Sequence, residues 1–433
     1  MASGTDGFSG NAGQQALDRF AQMMIERMER MKADDWKQGW IGGAGSAGLP
    51  QNVMGRNYSG SNSFFLQLHS ATKGYELPVF LTFKQAHNFK AHVLKGEKAF
   101  PVIYWDMMVR DKDGKKISSD EYRSMSREER KNLDAIPFIK AFPVYNLDQT
   151  NFREVQPERM QKLIDRFKVP ELRDTRGMYA HGALDSMVAA QTWLCPIQAD
   201  RKESGAYYSP SRDIVVVPMK EQFNKGTTPQ EIYRDGMEFY STMLHEMAHS
   251  TMTPERLNRE AGAKFGDPKY AKEELVAELT AAMISHSMGF DSKVTDNSAA
   301  YLDSWIGALR QEPKFIVSVM ADVNKASEMI LDRVDAQRLA LGEPPYLAKN
   351  DPLLAPLKNA AIIKTRSGDF AVRASYNGID LGMKPIERST ARMYFQLTDQ
   401  REKDIFLGST IRKNYESEIA GIERRASKSL SIV

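Results

Sequence analysis

The chain has 433 residues, 42% of them hydrophobic and 27% charged, with a formal net charge of +3. That length suggests two to four domains with real cores, and the charge balance excludes a global polycation. No run of about 18 uninterrupted apolar residues exists, so no membrane span is expected, and residues 1–15 lack the basic and apolar regions of a secretory signal.

Residues 1–13 read as disordered. Residues 16–31 predict an amphipathic helix with Leu17, Phe20, Met24 and Met28 on one face. The segment 36–48 is glycine-rich. Between 51 and 105 the pattern alternates between turns and short strands. Residues 80–83 predict a strand, 84–90 a short helix, and 102–105 and 140–145 further strands. The mixed charges of 111–134 suggest an exposed insertion. A helix over 154–165 marks the boundary to a second domain.

Cys195 is the only cysteine. It excludes an intrachain disulfide and a cysteine-cluster zinc site, and it fits a reducing, cytoplasmic setting. Beside Trp193, Leu194 and Pro196 it reads as a core thiol. Residues 206–218 read as a hairpin whose second strand is rich in β-branched residues. Thr228-Pro229-Gln230-Glu231 then has the form of a capping box with Pro at the first helical position. The helix it opens is expected to run about six turns, to a stop at Pro254.

That helix carries His245-Glu246-Met247-Ala248-His249. At i and i+4 two imidazoles project from one face and can share a Zn²⁺ ion. Glu246 is then placed to take a proton from a zinc-bound water. A catalytic site of this kind needs a third protein ligand. The next predicted helix starts at Asp267-Pro268, ends near Gly289 and carries Glu274 and Glu278 on one face, with Ala281, Ala282 and Ser285. Two acids on a small-residue stripe are costly unless a cation or donors pair them. Glu274 is therefore assigned as the third ligand and Glu278 as an acceptor orienting a ligand histidine. Glu278 as the ligand is the main variant; Asp235 and Glu238 rank lower. Glu273, following Lys272, is assigned to a solvated face. Tyr179, His181, Tyr207 and Tyr208 are candidate donors to an oxyanion.

Two helices are predicted over 295–335, and Pro-containing pairs at 344–345 and 351–352 mark a linker. Beyond it, strands over 361–364, 370–376, 379–383 and 392–397, a turn at Asn377-Gly378 and a helix over 405–415 describe a small α+β domain.

Several pieces taken together resemble the ArdC-type antirestriction proteins of mobile elements. Leu49-Pro50-Gln51-Asn52 followed by residues 55–62 is similar to that family's "P-x-N…G-R-x-Y-x-G-x-N" stretch. Residues 81–86 match "L-T-[FY]-K-Q-A", 94–98 resemble "[VR]-K-G-E-K", and 142–149 resemble the closing "V-F-N-x-x-Q". The hairpin, the His245–His249 motif and the segment 273–278 extend the likeness. It implies a single-stranded-DNA-binding domain over 14–155 and a zincin-like metallopeptidase domain over 156–340, both α+β. Residues 351–433 lie outside it.

Between 51 and 100, six basic residues face two acidic ones. Tyr58, Phe64, Phe65 and Phe83, with Trp105 beyond, suit base stacking while cations meet phosphates. Asn52, Arg56, Tyr58, Lys84, Lys95 and Lys98 are the DNA-binding candidates. The expected partners are single-stranded DNA and a protein or peptide substrate. Two other readings remain open at this point. One is a DNA-binding protein whose zinc site acts without proteolysis. The other is a metalloprotease toxin or processing enzyme.

Overall fold

A computed structural model describes residues 11–33, 40–41, 47–117, 127–130, 133–168, 177–260, 262, 267–290, 301–347, 350, 358–365, 367–376 and 379–397, with scattered positions in 122–125 and 403–419. Helix α1 (Asn11–Ala33) begins five residues ahead of the predicted start. Leu17, Phe20, Met24 and Met28 lie on its fully buried face.

A five-stranded sheet follows, formed by β1 (Gln51–Asn52), β2 (Val79–Leu81), β3 (Phe100–Arg110), β4 (Lys116–Ile117) and β5 (Asp134–Asn146). Its order is β1-β2-β5-β3-β4. β1 and β2 are parallel, and the long β3–β5 pair is antiparallel over eleven residues. Part of the charged 111–134 segment thus extends this hairpin.

Two predictions in this half need correction. Helix α2 (Ser61–Lys73) occupies a stretch read as turns and short strands. Phe64, Phe65 and Leu68 sit at helical spacing and are buried, and Gly74 closes the helix at a φ of 68° that suits glycine. The predicted strand over 80–83 stops at Leu81, because Thr82 becomes the N-cap of α3 (Phe83–Asn88), in a capping box with Gln85.

The boundary helix is split. Phe152–Val155 ends before Pro157, which opens α4 (Pro157–Phe167). Next come α5 (Gly182–Ala190) and a three-stranded sheet, β6 (Ile197–Gln198), β7 (Tyr207–Ser209) and β8 (Ile214–Val216), in the order β6-β8-β7. Helices α6 (Pro229–Ser250) and α7 (Pro268–Ser287) pack on each other, and α8 (Leu302–Gln311) and α9 (Phe315–Ala340) close over α7.

Helix α7 is the pivot of the molecule. Leu275, Val276, Leu279 and Met283 enter a core shared with α1, α2 and the five-stranded sheet. Ala277, Ala281 and Ile284 enter a second core with α5, α6 and β8, which also takes Cys195. One helix therefore belongs to both halves of the chain.

The C-terminal part is an antiparallel sheet, β9 (Lys358–Lys364), β10 (Phe370–Tyr376) and β11 (Ile379–Ile386), followed by α10 (Arg388–Gln396). Residues 392–397, read as a strand, mostly belong to this helix, which buries Ala391 against the sheet side. The aromatic pair Tyr394-Phe395 there reads as strand-like. Val372 and Leu381 share a third core with Leu81, Phe89 and Phe152 of the N-terminal half. The Asn377-Gly378 turn and, within the helix expected over 405–415, residues 405 and 408–411 lie outside the described residues; Arg412–Tyr415 form a 3-10 turn. Among the described residues, no helix is long and apolar enough to cross a membrane.

Candidate metal centre

The site begins with the start of α6. Thr228 accepts from the Glu231 amide, and the Glu231 carboxylate accepts from the backbone of Thr228 and Thr227 and from the Thr227 hydroxyl. These bonds, the Thr228 amide foremost, hold the Glu231 carboxyl down at about 2. Further along, Gly236 lets the backbone of Tyr179 come against the helix. A Cβ there would stand 2.3 Å from the Tyr179 nitrogen. The C-terminal half of α6, from Phe239 on, is buried almost throughout and carries the histidines.

His245 Nε2 and His249 Nε2 lie 3.1 Å apart. Glu274, from α7, places Oε2 3.6 Å from His245 Nε2 and Oε1 3.6 Å from His249 Nε2. One donor atom from each of the three residues falls within 4.8 Å of the others. A divalent ion bonded to two imidazoles at 2.0–2.1 Å in tetrahedral geometry would hold the nitrogens about 3.3 Å apart. The donor set and spacing therefore fit such an ion. Asp235, by contrast, accepts from the amides of Lys225 and Gly226 and lies outside this group.

A carboxylate stands behind each histidine. His249 Nδ1 donates to Glu273 at 3.3 Å, and Glu278 Oε1 lies 3.8 Å from His245 Nδ1. Glu273 is buried, contrary to the solvated position read from its neighbour Lys272. The reason is that α7 has no solvent face in this stretch. Arg259 makes the burial tolerable: its Nη2 and Nε reach Glu273 at 2.6 and 2.8 Å, and it also donates to the Ala248 carbonyl and the Thr251 hydroxyl. Sequence reasoning missed Arg259, because nothing local in its stretch ties it to the motif.

Burial disfavours a charged His249, yet hydrogen bonds to Glu273 and Glu274 raise its pKa well above the ordinary value. Burial likewise opposes the Glu274 carboxylate, and the two histidines overcome it and hold its pKa well below the usual range. The pocket thus concentrates negative potential where the imidazole nitrogens meet. Glu246 is buried beside them, and its charge is felt by both histidines. Tyr270, one helical turn before Glu274, lies against that carboxylate and was also missed. Burial and then the Glu274 charge raise its phenol's pKa.

The tyrosines and histidine offered as oxyanion donors are engaged elsewhere. Tyr208 donates to Asp213, and the Tyr207 hydroxyl accepts from Arg212. His181 caps α5 and pairs with Tyr346. Tyr179 sits among Tyr233, Tyr240 and Phe290. β7 is the outer strand of its sheet and packs on α6, so an extended edge does lie beside the motif helix.

The DNA-binding candidates divide. Lys84, Lys95 and Lys98 are exposed, and Arg56 is half-buried. Asn52 is buried, its side-chain oxygen accepting from the amides of Met54 and Arg56, which makes it a turn-former. Tyr58 packs edge-on against Phe80. Phe64 and Phe65 are wholly buried beneath Phe20 and leave no face for a base, whereas Phe83 is 64% exposed. Tyr104, on β3 opposite Lys140, is a further exposed aromatic that the sequence reading passed over. The Trp105 side chain lies outside the described residues.

Comparison with known proteins gives two family matches. A model of the N-terminal domain of anti-restriction factor ArdC matches residues 14–145, and one of a zincin-like metallopeptidase matches residues 185–322. Two Escherichia coli proteins, each described as DNA primase TraC, are 28% and 29% identical over 72% of this chain. The match spans only 27% and 19% of those primases, about a quarter of their length or less. An uncharacterized protein y4eC of Sinorhizobium fredii is 25% identical over 74% of this chain and 93% of its own. Among solved structures, the antirestriction ArdC protein from R388 plasmid superimposes in metal-free and Mn(II)-bound forms, with TM-scores of 0.51 and 0.50. Identity is 25%, over 73% of this chain and 97% of the other.

Proposed function

For this chain, which belongs to the ArdC-type antirestriction family, we propose a two-part role: single-stranded-DNA binding by the N-terminal half and zinc-dependent peptide hydrolysis at the site on α6 and α7. The zincin-like domain implies a divalent ion, and the R388 ArdC protein has been solved with Mn(II). Zn²⁺ is the ion we assign here, on the donor set of two imidazoles and one carboxylate. The observation that carries the reading is the convergence of His245, His249 and Glu274 donor atoms within 4.8 Å.

In this reading His245, His249 and Glu274 hold the ion. Its chemistry there is that of a Lewis acid, which acidifies water and polarises a carbonyl. Glu246 removes the proton from the attacking water and later returns it to the departing amine. Glu273 holds the His249 Nδ1 proton and the Glu278 carboxylate faces the His245 Nδ1, which favours a free electron pair on each Nε2. The β7 edge supplies a place for an extended peptide to lie against the motif helix. Phe83, Lys84, Lys95 and Lys98 form the DNA-contacting set that the exposure pattern favours, with the aromatic stacking a base and the lysines meeting phosphates. The setting we propose is the cytoplasm of a cell receiving a mobile element.

The test is Glu246→Gln in the full chain. It should retain the metal, measured by elemental analysis, and lose peptide turnover. Turnover that survives the substitution would sink the mechanism.

One observation favours a second reading, in which the protein acts stoichiometrically on DNA or on a restriction enzyme. The helix bearing Glu274 lies in the core shared by both halves, so a bound ion would also brace the DNA-binding part. An antirestriction assay separates the two, since Glu246→Gln would keep its activity only in the stoichiometric case.

A further inference from the structure

Trp40 comes from the region matched by the ArdC N-terminal model, yet its indole reaches the far side of the metal centre. The ring is fully buried and lies 6.1 Å from that of Trp305. Its Nε1 donates to Glu278 Oε2 at 3.2 Å. The other oxygen of the same carboxylate faces His245 Nδ1 at 3.8 Å. His245 Nδ1 is itself buried, with no hydrogen-bond partner among the described residues.

An indole N–H can only donate. The bond to Oε2 therefore needs an acceptor there, and it fixes the plane in which the carboxylate lies. That leaves Oε1 aimed at Nδ1. A carboxylate so placed keeps the imidazole proton on Nδ1 and turns Nε2 toward His249 and Glu274 as a free electron pair. The indole also relieves part of the cost of a carboxylate that is 1% exposed.

We propose that Trp40 is a positioning residue of the metal centre, acting through Glu278 on His245, so that the N-terminal half completes the site carried by the other. This rests on the metal reading above.

The experiment is a Zn²⁺ affinity measurement on the full chain, by competition with a chromophoric chelator. Trp40→Phe keeps an aromatic ring and removes the donor. It should weaken zinc binding by up to roughly 10-fold, the low end of the loss for removing a direct partner of a ligand histidine, because Trp40 acts one step further out through Glu278. Trp305→Phe is the packing control, because the Trp305 indole donates to the Ala271 carbonyl of α7 and not to the Glu278 carboxylate. It should leave zinc affinity unchanged. Folded Trp40→Phe with wild-type affinity overturns the proposal and leaves the metal site standing. A wild-type chain that takes no zinc overturns both. Should Trp40→Phe not fold, the wild-type protein decides by NMR of its indole N–H resonances, with Trp40 assigned by single Phe substitutions at the other four tryptophans. The Trp40 resonance should shift when zinc is added, and one that stays fixed overturns the proposal.

Discussion

Arg259 grips Glu273 with two nitrogens, Nη2 and Nε, at 2.6 and 2.8 Å, and both side chains are buried. A pair of this kind contributes little over an apolar substitute, but removing one member strands the other charge. Arg259→Met should therefore destabilise the protein by about 3–5 kcal/mol, read by denaturant unfolding. It should also loosen the hold on His249 and weaken metal binding. An unfolding midpoint within error of wild type would contradict the assignment.

Metal removal is expected to lower the melting temperature. A ligand present at 100 to 1,000 times its dissociation constant adds about 3–4 kcal/mol to the folded state. Chelation should withdraw that increment from the wild type. Glu274→Ala should melt at the same temperature with and without added zinc, and calorimetry reads the difference. A zinc-dependent rise in Glu274→Ala equal to that of wild type would exclude Glu274 as a ligand.

His69, His181 and His286 are buried, and burial is the main reason each pKa falls to about 4. The unfolded chain protonates these groups near 6.5, ahead of the folded one. Their contribution to stability is thus full above 6.5 and is lost as pH falls toward 4. Each is worth up to about 3 kcal/mol by linkage. His69 stacks on Phe100, and its Nε2 has no hydrogen-bond partner among the described residues, so His69→Phe should raise stability relative to wild type at pH 5 and flatten the slope. Parallel pH profiles for the two proteins would refute this.

Gly236→Ala tests the contact between α6 and residue 179. Alanine favours a helix by about 1 kcal/mol over glycine, so on an open surface the change would stabilise. Here the new Cβ would meet the Tyr179 backbone. The expected result is a net loss of about 1–3 kcal/mol from overpacking, seen as an earlier denaturant midpoint. Stabilisation would mean that the close approach is not maintained.

For the DNA surface, Phe83→Ala should cost about 1–3 kcal/mol in single-stranded-DNA affinity if a base stacks there. Lys84→Gln should instead reduce the salt dependence, by about 0.7 in the log–log slope for one phosphate contact on a single strand. Fluorescence anisotropy with an oligonucleotide measures both. Lack of effect from either substitution would move the surface elsewhere, with Tyr104 and Lys140 the next pair to alter.

Much of this architecture is legible in the sequence, for identifiable reasons. His245 and His249 announce themselves because helical spacing puts i and i+4 on one face. Glu274 stands out as an acid on a stripe of small residues. Glu273 was misplaced because a helix was assumed to own a solvent side, whereas α7 is wrapped by two cores. Arg259 and Trp40 are brought to the site only by tertiary folding, so no local spacing points to them. Helix α2 was hidden behind a Ser-Gly-Ser-Asn opening that reads as a turn. Phe64 and Phe65 drew attention as aromatics near lysines, but only packing could say that they face inward.

Because Leu275, Leu279 and Met283 of α7 share one core with Phe20, Phe64 and Phe65, the junction between the two halves is more than a tether. A chain cleaved once between the two halves should leave fragments that stay together until denatured. The N-terminal half expressed alone would carry an uncovered apolar face, tending to aggregate or to recruit the missing piece when it is supplied in trans.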